Sequence, residues 1–245
     1  MLINRSLVTG VLLLLAGSVA FGQPPAAAPP PLPFANVPAE WRGRASVLLE
    51  DNVLAFFSGT RFAVFSLAAD QIVSTGTLTA WPGWPTAWQG VDGAARFDAD
   101  TIVLIAGSEW VPYSVSQRAI TMPPQALQNW TGFPWSGIDA VVNWDAGSIL
   151  FFRGTEFLRY TMAAEGGRFD ARGDYTQWTG WPRHWDRITG VVNPGKGVLF
   201  FFRQNEVLPY ALDSSSFGAL FTLPGPPPVP DAAPVPAQQQ AAPLP

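Results

Sequence analysis

The chain has 245 residues, 13% of them charged and 48% hydrophobic, with a formal net charge of -4. The absence of cysteine excludes a disulfide scaffold, a thiolate zinc centre and a cysteine nucleophile, and a single histidine, His184, excludes any site that needs two imidazoles from one chain. The acidic balance with one lysine, Lys196, argues against a nucleic-acid surface, and 11 Trp, 17 Phe, 23 Gly and 25 Pro point to an aromatic-rich all-β protein with many turns.

Residues 1–22 read as a signal peptide. Arg5 supplies the positive start, Leu7 to Ala20 is apolar or small, and Ser18-Val19-Ala20 and Ala20-Phe21-Gly22 are small-x-small cleavage sites. That apolar run is shorter than the ~20 residues a bilayer-spanning helix needs. The chain is therefore expected to be secreted or periplasmic, with no membrane insertion once the signal is removed. Export without cysteine favours a bacterial envelope. Residues 23–33 are a Pro/Ala-rich linker and residues 224–245 a Pro-rich tail. Neither has the apolar periodicity of a folded segment, and the tail is expected to be disordered.

Between them, residues 34–223 repeat. Trp81-Pro82-Gly83-Trp84-Pro85, Trp130-Thr131-Gly132-Phe133-Pro134 and Trp178-Thr179-Gly180-Trp181-Pro182 follow one another at about 48 residues. Each leads to an apolar run (Val91-Asp92-Gly93-Ala94, Ile138-Asp139-Ala140-Val141, Ile188-Thr189-Gly190-Val191). A second follows (Leu104-Ile105-Ala106-Gly107, Phe151-Phe152-Arg153-Gly154, Phe201-Phe202-Arg203-Gln204), and then a third that begins at Glu109, Glu156 and Glu206. A degenerate first copy contains Phe56-Phe57-Ser58-Gly59 and Arg61-Phe62. The units span about 34–80, 81–129, 130–177 and 178–223, each with three strand-length runs. Gly59, Gly107 and Gly154 fall at the tight corner between the second and third runs, where a positive φ is expected. A sheet of this kind cannot bury both of its faces alone, so four units are expected to close into a four-bladed β-propeller. Trp81, Trp130 and Trp178 recur once per unit and are expected to wedge between blades. Trp88 and Trp185, in a longer connection, are better surface candidates than these three.

The pattern Trp-x-Gly-x-Pro, Ile-Asp-Ala-Val and Phe-Phe-Arg-Gly-x-x-Phe-x-Arg-Tyr resembles the hemopexin-like repeat, most closely from Trp130 through Ile138-Asp139-Ala140-Val141 to Arg159-Tyr160. The resemblance implies a disc with a central tunnel, in which main-chain carbonyls of the innermost strands hold a cation, commonly Ca2+. Carried over by motif, the metal positions are Asp92, Asp139, Thr189 and, in the first unit, Arg44 or its neighbour Ala45. The disulfide that joins first and last blades in the family cannot form here, so closure falls to packing of blade four on blade one.

The function expected on this basis is a non-enzymatic binding or protein-interaction module. Carriage of a small ligand (haem or a polyamine) and a structural envelope role are the alternatives, and the partner is a protein, glycan or small ligand at the cell surface. Haem cannot be held by two histidines of one chain, which leaves His184 as a single axial ligand. A glycosidase-like enzyme would need paired carboxylates. Asp98 with Asp100 and Asp170 with Asp174 offer them, but in stretches that read as turns.

Overall fold

The computed structural model describes residues 36–43, 45–163 and 166–224. The signal peptide, the linker, nearly all of the Pro-rich tail and Arg44 lie outside these residues. The chain forms four antiparallel sheets, one per repeat. The first holds β1 (Ser46–Glu50), β2 (Val53–Ser58), β3 (Arg61–Ser66) and β4 (Gln71–Thr77). The second holds β5 (Gly93–Arg96), β6 (Thr101–Ala106), β7 (Glu109–Ser114) and the fragments β8 (Ala119–Ile120) and β9 (Gln125–Ala126). The third holds β10 (Ala140–Asp145), β11 (Ser148–Arg153), β12 (Glu156–Thr161) and β13 (Arg168–Asp174). The fourth holds β14 (Gly190–Val192), β15 (Val198–Arg203), β16 (Glu206–Ala211) and the fragments β17 (Ser216–Phe217) and β18 (Phe221–Thr222). The four-bladed propeller expected from the repeat is the fold observed.

The Phe-Phe pairs explain why the sheets close. Successive residues of a strand point to opposite faces. In β2, Leu54 and Phe56 enter the core shared with blade four, while Ala55 and Phe57 enter the core shared with blade two. In β11, Ile149 and Phe151 face blade two, and Leu150 and Phe152 face blade four. In β15, Leu199 and Phe201 meet blade three, and Phe200 and Phe202 meet blade one. Each second strand is thus buried on both faces and reads as a continuous apolar run. Each Phe-Phe pair sends one phenyl to either side, blade two does the same with Leu104 and Ile105, and the four seams so filled form the core.

Three runs per repeat were expected, but each blade has four strands. The fourth forms the blade's outer edge and, in blades one and three, has no buried residue: β4 is mostly exposed, and β13 alternates half-buried residues with exposed Arg168, Asp170, Arg172 and Asp174. Alternating charge on an edge discourages pairing with another chain. In blades two and four this strand is broken into two short fragments. The corner between second and third strands holds positive φ at Gly59, Gly107 and Gly154, and blade four places Gln204 there with φ 56°.

Trp81, Trp130 and Trp178 do wedge between blades. Trp130 packs against Phe97 and Trp110 of blade two and against Phe151 and Tyr160 of blade three. Trp178 likewise meets Trp144 and Phe157 on one side and Phe201 and Tyr210 on the other. Trp88 and Trp185, the better surface candidates, are not at the surface. Both are buried, Trp185 to 1% exposure. Their longer connections turn back at Pro85 and Pro182, where Trp88 and Trp185 N–H groups donate to the proline carbonyls. This returns each indole to a seam, and its Nε1 donates to Glu109 or Glu206 at the start of the third strand.

Closure of blade four on blade one rests on packing, as the lack of cysteine requires. Val37, Trp41, Leu54, Phe56 and Phe65 interlock there with Val192, Phe200, Phe202 and Val207. The Ser46 hydroxyl adds a 3.3 Å bond to the Val191 carbonyl.

Candidate functional site

The innermost strands β1, β5, β10 and β14 run side by side around one axis, and the residues that open and close them define its two ends. At the opening end stand Asp92, Asp139 and Thr189, at equivalent positions and exposed. Their side chains serve the fold. Asp92 and Asp139 carboxylates accept the N–H of Gly107 and Gly154 at 2.6 Å, so each braces the positive-φ corner of its own blade. Thr189 does the same for Gln204 through its hydroxyl, at 3.3 Å. Each carboxylate thus spends one oxygen within its own blade, and the main-chain carbonyls of these positions would be the ligands of a cation at this end. Among the described residues no group of three or more His, Cys, Asp or Glu side chains is gathered as a metal centre. Oxygen-only, main-chain ligation fits a hard cation such as Ca2+.

At the closing end, four residues after the Asp or Thr of each later repeat, lie Arg96, Asn143 and Asn193, with Leu48 in blade one. These positions form a ring, and side-chain-to-backbone bonds from Arg96, Asn143 and Asn193 join blade one to two, two to three and three to four. The Asn143 amide donates to the Arg96 carbonyl at 2.6 Å and accepts the Arg96 N–H at 2.7 Å. Asn193 donates to the Asn143 carbonyl at 2.7 Å. The Arg96 guanidinium reaches the Leu49 carbonyl of blade one. Sequence reading missed this ring. The signal was there, since polar residues fall in register within otherwise apolar inner strands.

The ring borders a cavity of about 530 Å³ to which all four blades contribute. Its apolar walls include Leu48, Val142, Trp144, Met162 and Leu212, and its polar groups are Arg96, Asp98, Asn143, Asp145 and Asn193. Two β-bulges shape the mouth: β1 shifts register between Leu48 and Glu50, and β10 between Asn143 and Asp145. The extra residues are Leu49, whose carbonyl takes Arg96, and Trp144, which is re-aimed toward the cavity. Trp144 is steadied there by Tyr210, with ring centroids 5.2 Å apart.

His184 lies elsewhere, on the outer part of blade four. Its side chain is 55% exposed and its Nε2 lies 3.1 Å from Glu206. Glu206 also accepts from the Trp185 indole at 2.9 Å and lies 3.6 Å from Arg203. Burial opposes ionisation of Glu206. Hydrogen bonds from His184 and Trp185, and the positive charges nearby, outweigh it and hold the carboxyl below the usual range.

The paired carboxylates are turn and edge devices. Partial burial raises Asp98, but the N–H groups of Asp100 and Thr101 prevail and lower it. Asp100 is lowered by Ser114 and Ser116, Asp170 by Arg159, and Asp174 by Thr176. Each ionises more readily than a free carboxyl, the opposite of what a general acid requires. A group whose folded pKa is depressed stabilises the fold above its unfolded pKa and loses that contribution as pH falls through the folded value. The urea midpoint is therefore expected to be level between about pH 7 and 5 and to drop below about pH 4. An equal midpoint at pH 5 and pH 3 would contradict this.

By sequence, the chain matches no family model and no curated protein. By structure it is similar to a hemopexin fold protein from cow pea, with TM-score 0.61 at 10% identity over 74% of this chain and 92% of that one. The seed albumin LS24 from Lathyrus sativus aligns with TM-score 0.59 at 11% identity, over 74% and 92%. A Cicer arietinum protein described as a plant lectin with two metal binding sites aligns with TM-score 0.61 at 11% identity, over 73% and 92%. Four sheets around one axis, built from a Phe-Phe repeat and shared with these proteins, give the chain the hemopexin fold.

Proposed function

We propose that this chain is an exported, non-enzymatic binding module whose ligand occupies the axial cavity between the closing ends of the four inner strands. The observation that carries this is the cavity itself. Its volume lies within the usual range for small-molecule sites, its walls are largely apolar, and its few polar groups converge from separate blades. Export rests on the signal-like residues 1–22. At the other end of the axis, main-chain oxygens of Asp92, Asp139 and Thr189 suit a hard cation as a structural partner, the first-unit position Arg44 lying outside the described residues. Haem is not part of this proposal, because His184 faces Glu206 and does not line the cavity.

The test is a thermal-shift screen of the full chain and a Trp144→Ala variant against calcium, spermine, haem, oligosaccharides and small aromatic acids and amines. A ligand at 100 times its Kd contributes about 2.7 kcal/mol, a rise in Tm of roughly 5–10 °C for a domain of this size. A shift lost in Trp144→Ala supports the cavity. A calcium shift preserved in Trp144→Ala supports the tunnel cation separately. Silence across the small organic ligands removes the cavity reading and leaves a protein-binding or structural disc.

A further inference from the structure

Arg96 is the one charged member of the axial ring, since its equivalents are Leu48, Asn143 and Asn193. It is half-buried, and its guanidinium donates to three carbonyls, those of Leu49, Asp98 and Ala99. These partners are neutral, and they leave two of the five guanidinium N–H donors unspent. Asp100 nearby feels the Arg96 charge, but its two carboxylate oxygens accept from the Ser114 hydroxyl and the Ser116 N–H and so offset that charge only at a distance. No ion pair of Arg96 occurs among the described residues. A cation drawn away from bulk water is ordinarily matched by an anion.

The two carboxylates on the cavity do not meet that need. Asp98 and Asp145 are both exposed on its rim. Oδ1 of Asp98 caps its own turn by accepting from Asp100 and Thr101. Oδ1 of Asp145 accepts from Gly147 and Ser148. Both carboxylates face water, where salt screens them, whereas the Arg96 charge stands against apolar walls. We infer that the cavity takes a small organic acid, with its apolar body against Trp144 and Met162 and its carboxylate on Arg96. This rests on the axial cavity being the binding site.

Two probes of similar hydrocarbon and opposite charge test it: 3-phenylpropionate and 2-phenylethylamine, titrated calorimetrically into the full chain at low salt. The acid is expected to bind, with the amine at least about tenfold weaker. Arg96→Gln is expected to weaken the acid by about tenfold or more, and raising salt should weaken it in the native chain. Arg96 also ties blade two to blade one, so Arg96→Gln can fail to fold. The comparison of the two probes on the native chain decides the matter in that case. Amine binding equal to or tighter than the acid overturns the inference. If Trp144→Ala then abolishes the amine's binding, the cavity still stands as the site. Binding of neither probe also overturns the inference, and the wider screen judges the cavity independently.

Discussion

Replacing Trp185 with alanine is expected to lower the unfolding free energy by about 3–5 kcal/mol, the range for removing a large buried aromatic. The indole is 1% exposed and meets Trp181 edge-on, with ring centroids 5.6 Å apart. Its carbonyl accepts the Trp181 Nε1–H at 3.2 Å, and its own Nε1–H goes to Glu206. The variant therefore opens a void in the seam between blades three and four and removes a donor from a partly buried carboxylate. Trp185→Phe separates the two effects. It keeps most of the packing and loses the hydrogen bond, so it should cost about 1–2 kcal/mol. Urea denaturation at pH 7 measures both. A cost below about 1 kcal/mol for Trp185→Ala would contradict its role in joining the seam.

Asn143→Ala is expected to cost about 2–4 kcal/mol. One amide side chain satisfies both the N–H and the carbonyl of Arg96 across the seam between blades two and three. Alanine leaves both backbone groups without that partner, at about 1–3 kcal/mol each when shielded from water. Asn193→Ala loses one bond across a seam, to the Asn143 carbonyl, and an exposed local one from the Gly195 N–H, and should cost about 1 kcal/mol. Asn143→Asp keeps the acceptor but sets a carboxylate oxygen against the Arg96 carbonyl, so it should be no better tolerated than alanine. The ordering Asn143→Ala above Asn193→Ala, read from denaturant midpoints, is the check. Equal, small costs would mean that packing alone joins the blades and that the ring of amides is incidental.

Several features could be read without coordinates. A Trp-led repeat of about 48 residues, continuous apolar second strands (with doubled Phe in three of the four units) and glycines at three of the four corners dictate similar sheets buried on both faces. Such sheets must share an interior, so the propeller follows from periodicity and the hydrophobic effect. The fourth strands escaped notice because an outer edge needs no apolar run. Gln71–Thr77 and Arg168–Asp174 are held by backbone pairing to β3 and β12, which composition does not reveal.

The candidate site was legible only in part. Asp92 and Asp139 stood out as repeated acids inside apolar runs, but their bonds to Gly107 and Gly154 depend on how the hairpin corner folds back. Arg96, Asn143 and Asn193 share a register in the repeat, but their bonds to one another cross the seams between blades. Local sequence determined the blades: alternation, turn residues and the count of repeats act over a few residues and survive in the chain as pattern. The cavity and its charge belong to the tertiary structure alone. They depend on four strand ends, distant in sequence, arriving at one axis, where burial decides which polar groups find partners and which keep an open valence.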